Sequence, residues 1–253
     1  MKRQHKAVAI SLVFLGVWAA GFSPAASAGA AVPAENQVRI SGRVMDFKNQ
    51  PIPGASVQLK DSHFKTVAEA VSAADGSYSL TAAKGNYMAL LAVKDYQTKC
   101  LEFWAWNVPA TEDLEIDPRF DRLEVYAINA WRPQGAYPSY QIYFRPMSLT
   151  KAGKKIAEAG GMEGFAKLPL ADIAPDLTLK DIAVTIDGQA VNVLKINRVL
   201  EAAGPKQDMV AYVIQADLPK EKPSKNYCVI TITLTDHETG EMGEGSLFLK
   251  SNR

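Results

Sequence analysis

Histidine and cysteine are the scarce residues of this 253-residue chain, with three and two copies. His5 lies near the start, so only His63 and His237 stand in its body, and neither has a triad-like context. No G-x-S-x-G elbow occurs, so acyl transfer through an activated serine has no residues to point to. Zinc needs three or four convergent ligands, whereas Asp236-His237-Glu238 supplies neighbours that point to opposite faces of a strand. EF-hand spacing is absent, and Gly204-Pro205-Lys206 lacks the glycines of a phosphate-binding loop. No cofactor or metal is therefore expected. Nor does one sign of charge dominate, with 28 basic against 27 acidic residues. Such a chain lacks the basic field that nucleic acid or an anionic membrane rewards, and no nucleic-acid partner is expected. The proportions of 47% hydrophobic, 22% charged and 9% aromatic residues are those of a globular protein, which excludes disorder and a disulfide-dense miniprotein.

Long apolar runs are missing everywhere except at the start. Lys2, Arg3 and Lys6 precede an apolar stretch from Ala7 to Phe22, and Ala26-Ser27-Ala28 follows as a small-residue cleavage site. Residues 1–28 read as a secretory signal, because 16 apolar residues are short for a membrane span. The leader holds three of the 28 basic residues and no acid, so the remainder carries a net charge of about −2. The mature protein is expected to be exported, either periplasmic or secreted, with no transmembrane segment after cleavage. Cys100 and Cys228 then stand in a compartment that permits pairing. A disulfide between them would close a loop worth about 4–5 kcal/mol on the chain-entropy model. The alternative is two separate buried thiols.

After a small-residue linker, 29–35, short strands begin. Val38, Ile40, Gly42 and Val44 alternate with polar neighbours, as do Ala55, Val57 and Leu59. Asp75-Gly76 is a hairpin signal, Gly85-Asn86 a turn, and Tyr87 to Val93 a strand. Residues 67–74 are rich in alanine, yet the turns hem them in at strand length.

Four landmarks come in order: Ile40-Ser-Gly-Arg-Val-Met-Asp, Gln50-Pro-Ile-Pro-Gly-Ala-Ser-Val-Gln-Leu, Ala74-Asp-Gly-Ser-Tyr-Ser-Leu and Lys84-Gly-Asn-Tyr. Together they resemble the carboxypeptidase regulatory-like domain over residues 36–108. That resemblance implies a seven-stranded, prealbumin-like β-sandwich and an accessory role, with no catalytic residues to carry over.

Residues 109–118, with Pro109, Pro118 and four acids, read as an exposed connector to a second domain at 119–253. There one helix is expected over Thr150–Ala159, capped by Thr150 and ended by Gly160-Gly161. Seven strands follow from the alternation: 123–131, 140–147, 182–186, 190–196 (after a turn at Asp187-Gly188), 210–216, 228–234 and 246–249. The fold expected is all-β: two β-sandwiches, the second immunoglobulin-like with one short helix.

What stands out is an aromatic concentration, ten of the chain's 22 aromatics between Phe103 and Phe144. Trp104 and Trp106 would project from one face of a strand; Tyr126 would share a face with Arg132, and Trp131 would point the other way. Flat rings beside hydrogen-bonding groups suit a sugar or an extended peptide. Trp104, Trp106, Trp131, Arg132, Tyr137 and Tyr140 are therefore the candidate ligand-binding residues, the alternative being inter-domain packing. The function expected is a non-catalytic, exported binding module for a glycan or cell-envelope component. An assembly or protein-interaction module using an open strand edge is the second reading. An unrecognised hydrolase using a pair of the many acids is the third.

Overall fold

The computed structural model describes residues 34–204, 206–221 and 224–250. The expected leader, and the linker up to residue 33, lie outside the described residues. The first part of the chain forms β1 (Gln37–Arg43), β2 (Ser56–Lys60), β3 (Thr66–Val71), β4 (Ser77–Ala83), β5 (Gly85–Val93), β6 (Phe103–Ala110) and β7 (Leu114–Glu115). Next come β8 (Leu123–Trp131), β9 (Ser139–Ser148), α1 (Leu149–Glu158), α2 (Met162–Phe165) and β10 (Leu170–Ala171). The chain closes with β11 (Ile182–Ile186), β12 (Gln189–Val191), β13 (Val193–Ala202), β14 (Asp208–Asp217), β15 (Tyr227–Thr235) and β16 (Met242–Lys250).

Among the described residues the strands form three sheets. One is β4-β1-β7, one is β10-β14-β9-β8 with β13 also on β14, and one is eight-stranded, β12-β11-β15-β16-β6-β5-β2-β3. The eight-stranded sheet draws on both halves of the sequence, because β16 pairs in parallel with β6 through Gly245, Ser246 and Leu247. Its two faces serve two cores. Val57, Leu59, Leu90, Phe103 and Ala105 pack with Val38, Ile40 and Leu80 of the three-stranded sheet. Val184, Ile230, Ile232 and Leu247 pack with Leu123, Val125, Ile142, Phe144 and Tyr212 of the five-stranded sheet. Residues of β6 alternate accordingly, Phe103 and Ala105 turning to the first core while Trp106 reaches the second.

The two layers of the second core meet at bare backbone. A Cβ on Gly243 would stand 2.3 Å from the Leu123 carbonyl oxygen, and one on Gly245 would stand 2.3 Å from that of Val125. Glycine at both positions lets β8 cross directly over β16. A bulge at Ala127 (φ +52°) then keeps both Val125 and Ile128 in the core although they are three residues apart. That extra residue breaks the alternation on which the expected faces of Tyr126, Trp131 and Arg132 relied.

Several expectations hold, and others change. Residues 66–71 are a strand, as the turn spacing required. Asp187 (φ +50°) and Gly188 (φ +77°) make the two-residue turn between β11 and β12. Gly76 (φ +79°) does turn the chain, but it carries it from the eight-stranded sheet to the three-stranded one rather than between paired strands. The strand expected over 190–196 divides into β12 and β13, which belong to different sheets. The helix is capped by Ser148, whose Oγ accepts from Lys151 N at 3.0 Å. Thr150 instead donates through both N and Oγ1 to Glu241. The single turn α2 adds a second helix. The segment expected to be an exposed connector is built in, with β7 pairing in parallel with β1 and Leu114 and Ile116 buried.

The two cysteines do not pair. Cys100, in the segment between β5 and β6, packs against the first core, while Cys228 of β15 lies within the second, and both are free thiols. Alkylation of the unreduced, denatured protein should therefore label two thiols, and mass spectrometry showing none would contradict this packing. Gly243→Ala should destabilise the fold by about 1–3 kcal/mol or more, since backbone rather than a side chain must yield. A shift of the urea midpoint without a change in slope reads this out.

Candidate functional site

The candidate aromatics fall into two groups. Trp104 and Trp106 stack on one face of β6, ring centroids 5.2 Å apart and 19° from parallel. Phe64, in the turn between β2 and β3, sets its edge against both, at 6.5 and 6.1 Å. Both indoles are half-buried, and each covers a face of the other. Trp104 Nε1 donates to Glu124 Oε1 on β8 at 3.0 Å. The pair thus stands at the crossing of β6 and β8 and does not present a flat, open platform.

Glu124 is the partner that sequence reasoning missed. Only 4% exposed, it has one oxygen on Trp104 and finds no protein donor for the other. Burial pushes its carboxyl well above the usual range, and the neighbouring Glu102 pushes it further. Glu102 itself is raised from 4.5 to about 7 by burial, an effect opposed by the Trp104 N–H and the Lys60 ammonium. Burial in turn lowers Lys60, with Glu102 and Glu69 acting against it. Tyr96 is raised by burial and then by Glu124 and Glu102, and Tyr126 by burial and then by Glu124. A signal existed: Glu102, Trp104 and Trp106 share a spacing of two, which places one acid on the indole face.

The second group sits at the far end of β8. Trp131 lies seven residues beyond Glu124, roughly 20 Å along the strand. Trp131 is 48% exposed and Tyr137, in the hairpin loop, 61%. Tyr137 Oη donates to Asp217 Oδ1 at 3.3 Å, which holds the loop against the end of β14. Arg132 is exposed, its guanidinium 5.9 Å from the centre of the Tyr140 ring. Tyr140 itself is a core residue at 9% exposure, its hydroxyl 3.9 Å from Cys228 Sγ, so it offers no face to a ligand. The structure brings Trp131, Arg132 and Tyr137 to one tip and leaves Trp104 and Trp106 elsewhere.

The histidines are also apart. His63 is an exposed turn residue, and His237 Nδ1 lies 3.0 Å from Asp181 Oδ2. Among the described residues, no group of three His, Cys, Asp or Glu side chains could hold a metal ion.

Residues 39–116 match the carboxypeptidase regulatory-like domain. The regulatory-like domain therefore covers β1 to β7 and about a third of the chain. No curated protein matches the chain. Among solved structures, the major pilin subunit BcpA of Bacillus cereus is similar at 12% identity and a TM-score of 0.27, over 85% of this chain and 68% of that one. A DUF3823 family protein from Parabacteroides merdae shares 11% identity with a TM-score of 0.27, over 85% of this chain and 98% of that one. The major pilin SpaD of Corynebacterium diphtheriae shares 10% at 0.26, over 87% and 66%.

The buried acids make the junction sensitive to pH. Because the folded pKa of Glu102 and Glu124 lies above the unfolded value near 4.3, the folded state binds more protons in between. Their contribution is most favourable below about pH 4 and is lost as pH rises through about 7. Denaturation midpoints should thus fall from pH 5 to pH 8, and Glu124→Gln should flatten that fall. A variant with an unchanged pH profile would show that the acids are not buried together.

Proposed function

We propose that this protein is an exported, non-catalytic binding module that recognises a carbohydrate or another component of the cell envelope. The observation that carries this reading is the β8–β9 tip, where Trp131 and Tyr137 expose their rings beside Arg132. An exposed indole on a strand end keeps its orientation while its apolar face is open to stacking, and the guanidinium supplies directional donors. Loops on a rigid scaffold are where recognition residues concentrate. The regulatory-like domain supports an accessory role. The buried carboxylates argue for no catalysis, since Glu124 is enclosed between β6 and β8, out of reach of a substrate.

A second reading has its own support. β13 spans ten residues, pairs among the described residues with β14 alone, and exposes Leu200 at 55%. A free edge of that length can accept a strand from a partner protein. Lys195 and Arg198, exposed along it, are the charges that discourage promiscuous pairing.

Tryptophan fluorescence titration against polysaccharides and soluble peptidoglycan fragments separates the two. Binding at the tip should shift the spectrum, and Trp131→Ala should weaken it about tenfold, near 1.4 kcal/mol. Flat titrations across the whole panel would remove the tip as a carbohydrate site and favour the strand edge.

A further inference from the structure

The central pair of the eight-stranded sheet comes apart at its end. β6 and β16 run parallel and pair from Trp104–Gly245 to Trp106–Leu247, and there the pairing stops. Beyond that point β6 follows only β5, to Ala110, while β16 follows only β15, to Lys250. Asn107 marks the parting, with its backbone in the left-handed region at φ +58°. Asparagine is among the few residues that adopt this region readily, so the residue type itself favours the kink. Two strands parting at their carboxyl ends leave a gap that neither outer neighbour fills.

The gap is a cleft of about 970 Å³. Asn86, Tyr87 and Asn107 line it from one prong, and Asn226, Tyr227 and Lys250 from the other. Phe248, buried at 7%, packs edge-on against Tyr227 with centroids 5.5 Å apart. An ion pair joins the prongs, Lys225 Nζ lying 2.7 Å from Glu112 Oε1 and 5.5 Å from the centre of the Tyr227 ring. A smaller cleft of about 430 Å³ shares Ser224, Lys225, Tyr227 and Phe248 and continues beside β7.

We infer that this fork is a second ligand site, taking an oligosaccharide. The inference rests on the carbohydrate reading above but on a different surface. An incoming peptide strand would need a long regular edge; β6 offers none, since Asn107 is kinked and Pro109 has no N–H to give, and β16 offers only Phe248 to Lys250 beyond its last pair with β6. Recognition therefore falls to side chains. Three amides each present a donor and an acceptor, which match neighbouring sugar hydroxyls, and the half-buried Tyr87 lines the wall beside them. The volume stands at the upper end of the roughly 300–1,000 Å³ of small-ligand sites.

The test screens the full-length mature protein on an array of neutral and acidic oligosaccharides, then measures affinities for the hits by calorimetry. Asn86 and Asn226 are exposed, so Asn86→Ala/Asn226→Ala should keep the wild-type melting temperature. The expected result is about tenfold weaker binding of at least one oligosaccharide by that double variant, with Trp131→Ala leaving the same oligosaccharide unaffected. Binding that Trp131→Ala abolishes and the double variant leaves intact overturns the fork and keeps the tip. Where the double variant weakens every hit and Trp131→Ala weakens none, the fork stands and the tip is removed; hits that neither variant weakens overturn both sites. An array without hits overturns both.

Discussion

The parallel pairing of β6 with β16, three residues long, holds the eight-stranded sheet together across the two halves of the chain. Without it the first seven strands and the last nine would share no hydrogen-bonded ladder among the described residues. That pairing decides which face each half occupies. The three-stranded sheet packs on one side of the shared sheet and the five-stranded sheet on the other. It also decides where the sheet ends, because its abrupt stop after Leu247 opens the fork.

Close approach by β8 completes the junction and explains its unusual electrostatics. Glycines at 243 and 245 let the β8 backbone rest on β16, and Glu124 is carried into the interior as a consequence. A carboxyl sealed in this way favours its neutral form unless donors surround it. Here one indole N–H supplies part of what it needs. Elsewhere the buried acids are better served: Glu241 receives Arg122, Ser148 and Thr150, and Glu244 receives Arg119 and Thr233. Those networks fasten the start of α1 and the start of β8 to the β15–β16 hairpin. The contrast sets Glu102 and Glu124 apart as the junction's weak point toward alkali.

Much of the local structure was legible because it depends on near neighbours. The Asp187-Gly188 turn, the strand at 66–71 and the glycine stop after α1 follow from backbone preference and spacing. The regulatory-like landmarks were legible for the same reason, since turns and alternation carry them. Less was legible at the candidate site. Trp104 and Trp131 stood close in the sequence, but β6 and β8 take them to different ends of the junction. The bulge at Ala127 left no mark in the residue types around it. Division of the 190–196 stretch into β12 and β13 was hidden too, because both pieces alternate alike.

By itself, then, the order of residues determined an all-β chain, most of its strands, a regulatory-like first third and the absence of a nucleophile or metal motif. Those are properties of period, turn chemistry and composition, which act over a few residues. Tertiary structure alone decided which aromatic rings meet water, that the cysteines stay apart, that two acids share an enclosed junction, and that a central pair of strands divides. Each of these turns on which distant segments touch, and β6 meets β16 across more than a hundred residues of intervening chain. Contact over such a span is set by how whole faces pack, and no local pattern encodes it.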